Sequence, residues 1–239
     1  MTEFVFAPPA PASVAVSGSG KRFPVRRVLC VGRNYAAHAR EMGNDPDREP
    51  PFFFTKPADS VCDSGSAIPY PPLTDNLHHE VELVVAIGKG GSDIDSGAAL
   101  DHVWGYATGV DLTRRDLQDQ AKANRHPWDW SKGFDHSAPC GPLVQMAHSG
   151  HPARGFVRLS VNGEVRQDGD LGELIWPVPD IVAFASRSIE LKPGDLIFTG
   201  TPAGVGPLVP GDRVRGEIEH VGSVEFTIAV NRPGAPGTA

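Results

Sequence analysis

The amino-acid sequence predicts a β-rich α+β domain with a few short helices. Three observations predict it. Glycine (27) and proline (23) make up about one in five of the 239 residues, where an average chain carries roughly 12%. That many breakers favour short elements joined by turns over a helical bundle. Apolar residues come in short runs of strand length, such as Val28-Leu-Cys-Val31 and Leu83-Val-Val-Ala-Ile87. Asn162-Gly163 sits between two extended segments and supplies the two positive φ angles of a type I′ hairpin turn. With 40% apolar and 21% charged residues the chain can build a core. Its length fits one domain, spanning 26–230, with an N-terminal arm over 1–25 and a frayed tail over 231–239.

In chain order, residues 1–24 are rich in Ala, Pro, Ser and Gly and predict an irregular arm with at most one early strand. Val28 to Val31 reads as a buried strand ending at Gly32. Asn34 offers an oxygen to cap a short helix from Tyr35 to Met42, closed by Gly43. At about two turns that helix is marginal alone. A loop over 45–51 follows, then a strand at Phe52-Phe53-Phe54. Residues 79–87, HEVELVVAI, form the strongest strand, stopped by Gly88-Lys89-Gly90-Gly91. Val103 to Val110 is a strand and Arg114 to Ala123 a helix. The hairpin over 157–166 precedes a helix from Pro179 to Ser188, with proline at its start. Strands at 196–199, 214–218 and 224–230 complete a β-rich C-terminal half.

The balance of 22 basic and 29 acidic residues, net −7, with no basic run, gives no support to a nucleic-acid or membrane-surface role. No apolar stretch approaches the ~18 residues of a membrane helix, and the N-terminus has neither a basic leader nor a long apolar core. Cys30, Cys62 and Cys140 are odd in number and far apart, which argues against a disulfide framework or zinc ribbon and for a reducing cytoplasm. Gly204-x-Gly206 lacks a third glycine and a following helix, so it does not make a nucleotide loop.

Four constellations carry chemistry. Glu80 and Glu82 alternate onto one face of the 79–87 strand, opposite the apolar face of Val81, Leu83, Val85 and Ile87. Carboxylates about 7 Å apart on one strand repel, and a divalent cation would relieve this; a solvated strand end is the more ordinary reading of the pair alone. Asp111 follows the 103–110 strand, placed either to face a site or to cap the next helix. An all-oxygen set suits Mg²⁺, Mn²⁺ or Ca²⁺ rather than Zn²⁺. His38 and Glu41 share a helix face, either as a base oriented by a carboxylate or as a surface ion pair. Lys132, among Trp128, Trp130 and Phe134, is either a desolvated fixed cation or an ordinary surface lysine.

Together these residues resemble a known family. Gly32-Arg-Asn-Tyr-x-x-His38-x-x-Glu41, Phe54-x-Lys56-Pro57, His79-Glu80-x-Glu82-Leu83, Gly109-x-Asp111-x-x-x-Arg115-Asp116-x-Gln118, Lys132-x-Phe134-Asp135 and Gly194-Asp-Leu-Ile-Phe-Thr-Gly-Thr201-Pro-x-Gly-Val-Gly206 follow in order. This is similar to the signature of the fumarylacetoacetate hydrolase family, over about residues 26 to 230, in its short acylpyruvate hydrolase branch. The resemblance implies a mixed β-sheet roll, a homodimer, and one divalent cation, Mg²⁺ or Mn²⁺, on Glu80, Glu82 and Asp111. It implies His38 and Glu41 as a catalytic dyad on a short lid helix and Lys132 as stabiliser of developing negative charge. It implies Gln118 and Thr201 at the oxo-acid end, Arg115 close by, and Arg33 and Tyr35 beside the lid in reach of substrate. Gly133 departs from the pattern and leaves Lys132 less firmly positioned. The implied reaction is hydrolysis of a carbon–carbon bond in a 2,4-dioxo acid, with fumarylpyruvate, split to fumarate and pyruvate in aromatic (gentisate) catabolism, as the expected substrate. Oxaloacetate decarboxylation or oxo-acid tautomerisation on the same scaffold, or non-catalytic binding of a metal or small molecule, are the alternatives. A second carboxylate on the substrate calls for a distal cation, with Arg33, Arg40, Arg125 and His126 as unranked candidates.

Overall fold

The computed structural model describes residues 3–37 and 50–230. The His38, Arg40 and Glu41 positions, most of the expected lid helix and the tail from 231 lie outside the described residues.

A mixed eight-stranded sheet forms the centre, in the order Phe52–Lys56, Arg27–Gly32, Asp195–Phe198, Val81–Ile87, Val103–Val110, Ala138–Cys140, Val61–Asp63, with Val144–Gln145 added beside Val103–Val110. The Arg27–Gly32 and Asp195–Phe198 strands run parallel, and Asp195–Phe198, Val81–Ile87 and Val103–Val110 run antiparallel. A five-stranded sheet holds Glu164–Asp170, Phe156–Val161, Arg213–Ile218, Gly222–Ala229 and Ser66–Pro69. Helices are few, chiefly Arg115–Asn124 and Val178–Ser188. This is the expected mixed β-roll.

Strand alternation explains the core. Val81, Leu83, Val85 and Ile87 enter the larger apolar cluster, with Leu29, Val31, the inner face of the five-stranded sheet and the Val178–Ser188 helix. Val84 and Ala86 point the other way, into a second cluster with Val28, Cys30, Ala107 and Phe198. A strand covered on both faces reads as a continuous apolar run, which is why 83–87 carries no polar residue. The N-terminal arm covers the second cluster. It holds two strands, Ser13–Ala15 and Arg22–Pro24, paired antiparallel, and buries Val14, Val16 and Phe23 there.

The strand expected over 79–87 divides at Glu80. Leu77–His79 pairs with Gly206–Leu208 and Thr113–Arg114 in a separate three-stranded sheet, so the chain changes sheets at that residue. The hairpin turn forms as expected, with Asn162 and Gly163 at φ 54° and 85°. Its arms carry a bulge at Leu159/Ser160, where the register shifts so that Gln167 faces Leu159. The extra residue turns Gln167 inward on a strand that is otherwise mostly solvated.

Asn34 was expected as a helix cap. It is fully buried and ties two distant segments together. Its Nδ2 donates to the Trp176 and Thr199 carbonyls and its Oδ1 accepts from Trp176 N–H. Asn34→Ala would leave three backbone groups without partners, and we expect a loss of at least about 3 kcal/mol, since each unsatisfied buried group costs about 1–3 kcal/mol. Urea unfolding measures it; a change of the midpoint within error would show that these links carry no stability.

Candidate metal centre and substrate cavity

The antiparallel pairing of Val81 with Val110 brings three carboxylates together. Glu80 and Asp111 flank that pair at the strand ends, and Asp111 N–H donates to the Glu80 carbonyl at 2.8 Å. Glu82 lies one pleat further along. One oxygen from each of Glu80, Glu82 and Asp111 lies within 4.8 Å of the others, and all three side chains are buried. Glu80 lies at the point where the chain changes sheets.

Three cations surround the carboxylates. Lys132 is 2% exposed and Nζ donates to Glu80 Oε2, Asp111 Oδ2 and Thr113 Oγ1, each at 2.7 Å. All three of its protons are thereby used, so the glycine at 133 does not leave it loose. Burial alone would pull its pKa down; the Asp111 and Glu80 charges outweigh burial and hold it above the ordinary lysine value. The aromatic ring beside it is Phe54, at 5.0 Å, while Trp130 is turned to solvent. Lys56 Nζ lies 2.8 Å from Asp111 Oδ1 and donates to the Leu112 and Lys132 carbonyls. Arg115 donates to Glu80 Oε1 and to Gln118 Oε1, and its Nε to His78 Nδ1 at 3.3 Å.

This donor set fits a divalent cation. Lys56 approaches Asp111 Oδ1 off the hydrogen-bonding direction, so that fully buried oxygen has no hydrogen-bond partner among the described residues. Glu82 forms no salt bridge among the described residues; its Oε2 accepts from Gly200 N–H at 2.7 Å. Gly200 reaches it with φ +99°, and a Cβ there would meet Asn34 at 2.7 Å. Burial, then the Asp111 and Glu80 charges, push the Glu82 carboxyl well above the usual range. Hard carboxylate oxygens with unused capacity suit Mg²⁺ or Mn²⁺.

A cavity opens from the triad. Its lining includes Arg115, Gln118 and Thr201, expected at the oxo-acid end, together with Arg33, Lys122 and Trp128. Arg33 carries its guanidinium 5.3 Å over the Phe52 ring. Tyr35 is buried and forms a bridge with Leu174; burial, then the Glu82 charge, raise its hydroxyl pKa. Arg125 and His126 do not belong to this lining: Arg125 ends the Arg115–Asn124 helix in the left-handed conformation, and both residues are exposed.

Several residues escaped the sequence reading. Lys56 was visible only as part of a motif. Gln167, turned inward by the hairpin bulge, donates to Thr201 Oγ1 at 2.8 Å, accepts from Val81 N–H, and lies 3.0 Å from His79 Nδ1. His79 is buried, and burial depresses its pKa despite the Gln167 contact. Gln167 therefore fixes the Thr201 hydroxyl. No local pattern marks it, because the signal is a bulge. Lys122 was recoverable from its helical spacing to Gln118.

Comparison with known proteins places this geometry. Residues 27–229 match the family model described as fumarylacetoacetate (FAA) hydrolase C-terminal. The crystal structure of a fumarylpyruvate hydrolase from Pseudomonas aeruginosa, in complex with Mn²⁺ and pyruvate, is similar with a TM-score of 0.94 and 52% identity, covering 96% of this chain and 100% of that one. A Ralstonia fumarylpyruvate hydrolase is 41% identical over 189 residues, 78% of this chain and 98% of its own. The human mitochondrial oxaloacetate tautomerase FAHD1 is 41% identical over 208 residues, 87% of this chain and 93% of its own.

The raised Glu82 pKa has a testable sign. A carboxyl raised in the folded state contributes stability below its unfolded pKa and loses it as pH rises through the folded value. Metal-free protein should therefore lose thermal stability as pH rises, and Mn²⁺, which displaces that proton, should raise Tm more at about pH 8 than at about pH 6. Thermal unfolding after EDTA treatment, with and without Mn²⁺, reads this. Glu82→Gln should remove most of the Mn²⁺ gain; a full gain in that variant would exclude Glu82 as a ligand.

Proposed function

The chain belongs to the fumarylacetoacetate hydrolase family, and from that premise we propose that it hydrolyses fumarylpyruvate, a 2,4-dioxo acid, to fumarate and pyruvate. The observation that supports this best is the buried Glu80, Glu82, Asp111 triad opening on a cavity rimmed by Arg115, Gln118 and Thr201, in a chain similar along nearly its whole length to a hydrolase with Mn²⁺ and pyruvate bound.

A divalent cation on Glu80, Glu82 and Asp111 would supply Lewis-acid stabilisation of negative charge on an enolate oxygen. Arg115, the Gln118 amide and the Thr201 hydroxyl would hold the carboxylate and 2-oxo group of the substrate. Gln167 keeps the Thr201 hydroxyl in one orientation. His38, oriented by Glu41, would take a proton from water as its oxygen adds to C4; this role rests on helical spacing and on the family resemblance. The C3–C4 bond then breaks, its electron pair passes to C3, and the water oxygen leaves in fumarate. The proton returns to C3 and completes the methyl group of pyruvate. Lys132, drawn from one of its carboxylates, would donate to the oxygen that gains charge at C4.

The same reading places the enzyme in aromatic (gentisate) catabolism, in the cytoplasm, as a homodimer. Three cysteines without disulfides support a reducing compartment, and no helix among the described residues is long and apolar enough to cross a membrane. The similarity to an oxaloacetate tautomerase makes oxaloacetate the competing substrate.

The test is kcat/KM of the Mn²⁺-loaded enzyme for fumarylpyruvate, acetylpyruvate and oxaloacetate, with products identified. Fumarate and pyruvate from fumarylpyruvate should dominate; faster turnover of oxaloacetate would replace the hydrolase with a tautomerase or decarboxylase. His38→Ala should lower kcat by about 10²–10⁴-fold with a smaller effect on KM. Near-normal turnover in that variant would reduce the His38 and Glu41 pair to a surface contact.

A further inference from the structure

The Arg115–Asn124 helix presents Arg115, Gln118 and Lys122 at i, i+3 and i+7, hence on one face, and all three line the cavity of the carboxylate triad. The inner two are committed: Arg115 to Glu80 and to Gln118. Lys122 stands at the outer end. Its ammonium lies 5.7 Å over the Trp128 ring. Its ion pair with Asp119, at 3.6 Å, is too long for a hydrogen bond, and the Asp119 side chain is 61% exposed. The lysine is half-buried, and burial, then repulsion from Arg115, pull its pKa below the ordinary value. An anion arriving there would reverse both effects.

The helix also sets a length. Lys122 lies about 6 Å beyond Gln118 along the axis and about 10 Å beyond Arg115. A seven-carbon dioxo diacid in zigzag spans about 8 Å between its carboxylate carbons, from six bonds of about 1.5 Å. Oxaloacetate, with three such bonds, spans about 4 Å and ends short of Lys122.

We propose that Lys122, backed by Trp128, receives the distal carboxylate of the substrate and sets the preference for long dioxo diacids over acylpyruvates with an uncharged acyl end. This rests on the reading that the oxo-acid end sits at Arg115, Gln118 and Thr201. The stacked ammonium is already oriented, which limits the ordering cost of binding.

The test uses Mn²⁺-loaded enzyme and the variants Lys122→Met and Lys122→Arg. The ratio of kcat/KM for fumarylpyruvate over acetylpyruvate should fall about tenfold or more in Lys122→Met, through KM, and largely return in Lys122→Arg. A second readout needs no turnover. Binding of 2-oxoheptanedioate, which has the seven-carbon length but no C4 oxo group to cleave, is compared by calorimetry with 2-oxoheptanoate, which lacks the distal carboxylate. The parent should prefer the diacid and Lys122→Met should lose that preference. Loss of the preference in Lys122→Met, together with a parent that prefers the diacid but does not split fumarylpyruvate, would keep the subsite and overturn the hydrolase. An unchanged ratio and an unchanged diacid preference in Lys122→Met would overturn the subsite while leaving the hydrolase standing.

Discussion

Three carboxylates buried within 4.8 Å of one another are the constraint on which the rest of this structure depends. Isolated buried carboxylates carry a desolvation cost of several kcal/mol each, and their mutual repulsion adds to it. The fold meets this with Lys132, Lys56 and Arg115, each held by further hydrogen bonds to backbone or side chains. The collar is unevenly distributed. Among the described residues, Glu80 takes both Lys132 and Arg115, Asp111 takes Lys132 and Lys56, and Glu82 takes a backbone N–H and no cation. The unevenness leaves room for a divalent cation on the Glu82 side.

Much of the surrounding backbone follows from placing these groups. The chain changes sheets at Glu80, where its carboxylate meets those of Glu82 and Asp111. Gly200 adopts a left-handed conformation so that its N–H meets Glu82. The bulge in the Phe156–Val161 and Glu164–Asp170 hairpin sends Gln167 into the cluster, where one amide joins Val81, Thr201 and Pro202. Asn34 holds the Arg27–Gly32 strand end to Thr199, next to Gly200. Irregular backbone here gathers where polar groups must be satisfied inside a protein interior.

The sequence made the architecture legible wherever periodicity governs it. The 83–87 run, the 103–110 strand and the Asn162-Gly163 turn appear as read, because side-chain alternation and positive φ are local properties. The triad was legible for the same reason: Glu80 and Glu82 share a face by alternation and Asp111 ends a strand. What stayed hidden is what depends on pairing between distant segments. Lys56 meets Asp111 from an edge strand four places from Val103–Val110 in the central sheet, a contact no local pattern marks. The break at Glu80 needs Gly206–Leu208 as a partner more than a hundred residues away. Arg125 and His126 looked promising as cations near the right motif, yet they follow the helix end, where the chain turns outward. Lys122, one turn from Gln118, shares its helix face and lines the cavity, although it was not among the cations singled out from the sequence.

The energetic balance bears on why such a cluster exists. Replacing a buried ion cluster by well-packed apolar residues is often neutral or stabilising, whereas removing one member strands the others. Stability therefore gives no account of Glu80, Glu82 and Asp111 with their lysines and arginine; chemistry does. A bound cation stabilises the folded state by its binding free energy and offsets part of the cost of the buried carboxylates. It would also compete for the Glu80 and Asp111 carboxylates, to each of which Lys132 donates one proton while the third goes to the Thr113 hydroxyl. Lys132 lines the cavity that the triad opens on, beside the carboxylates that would hold the cation.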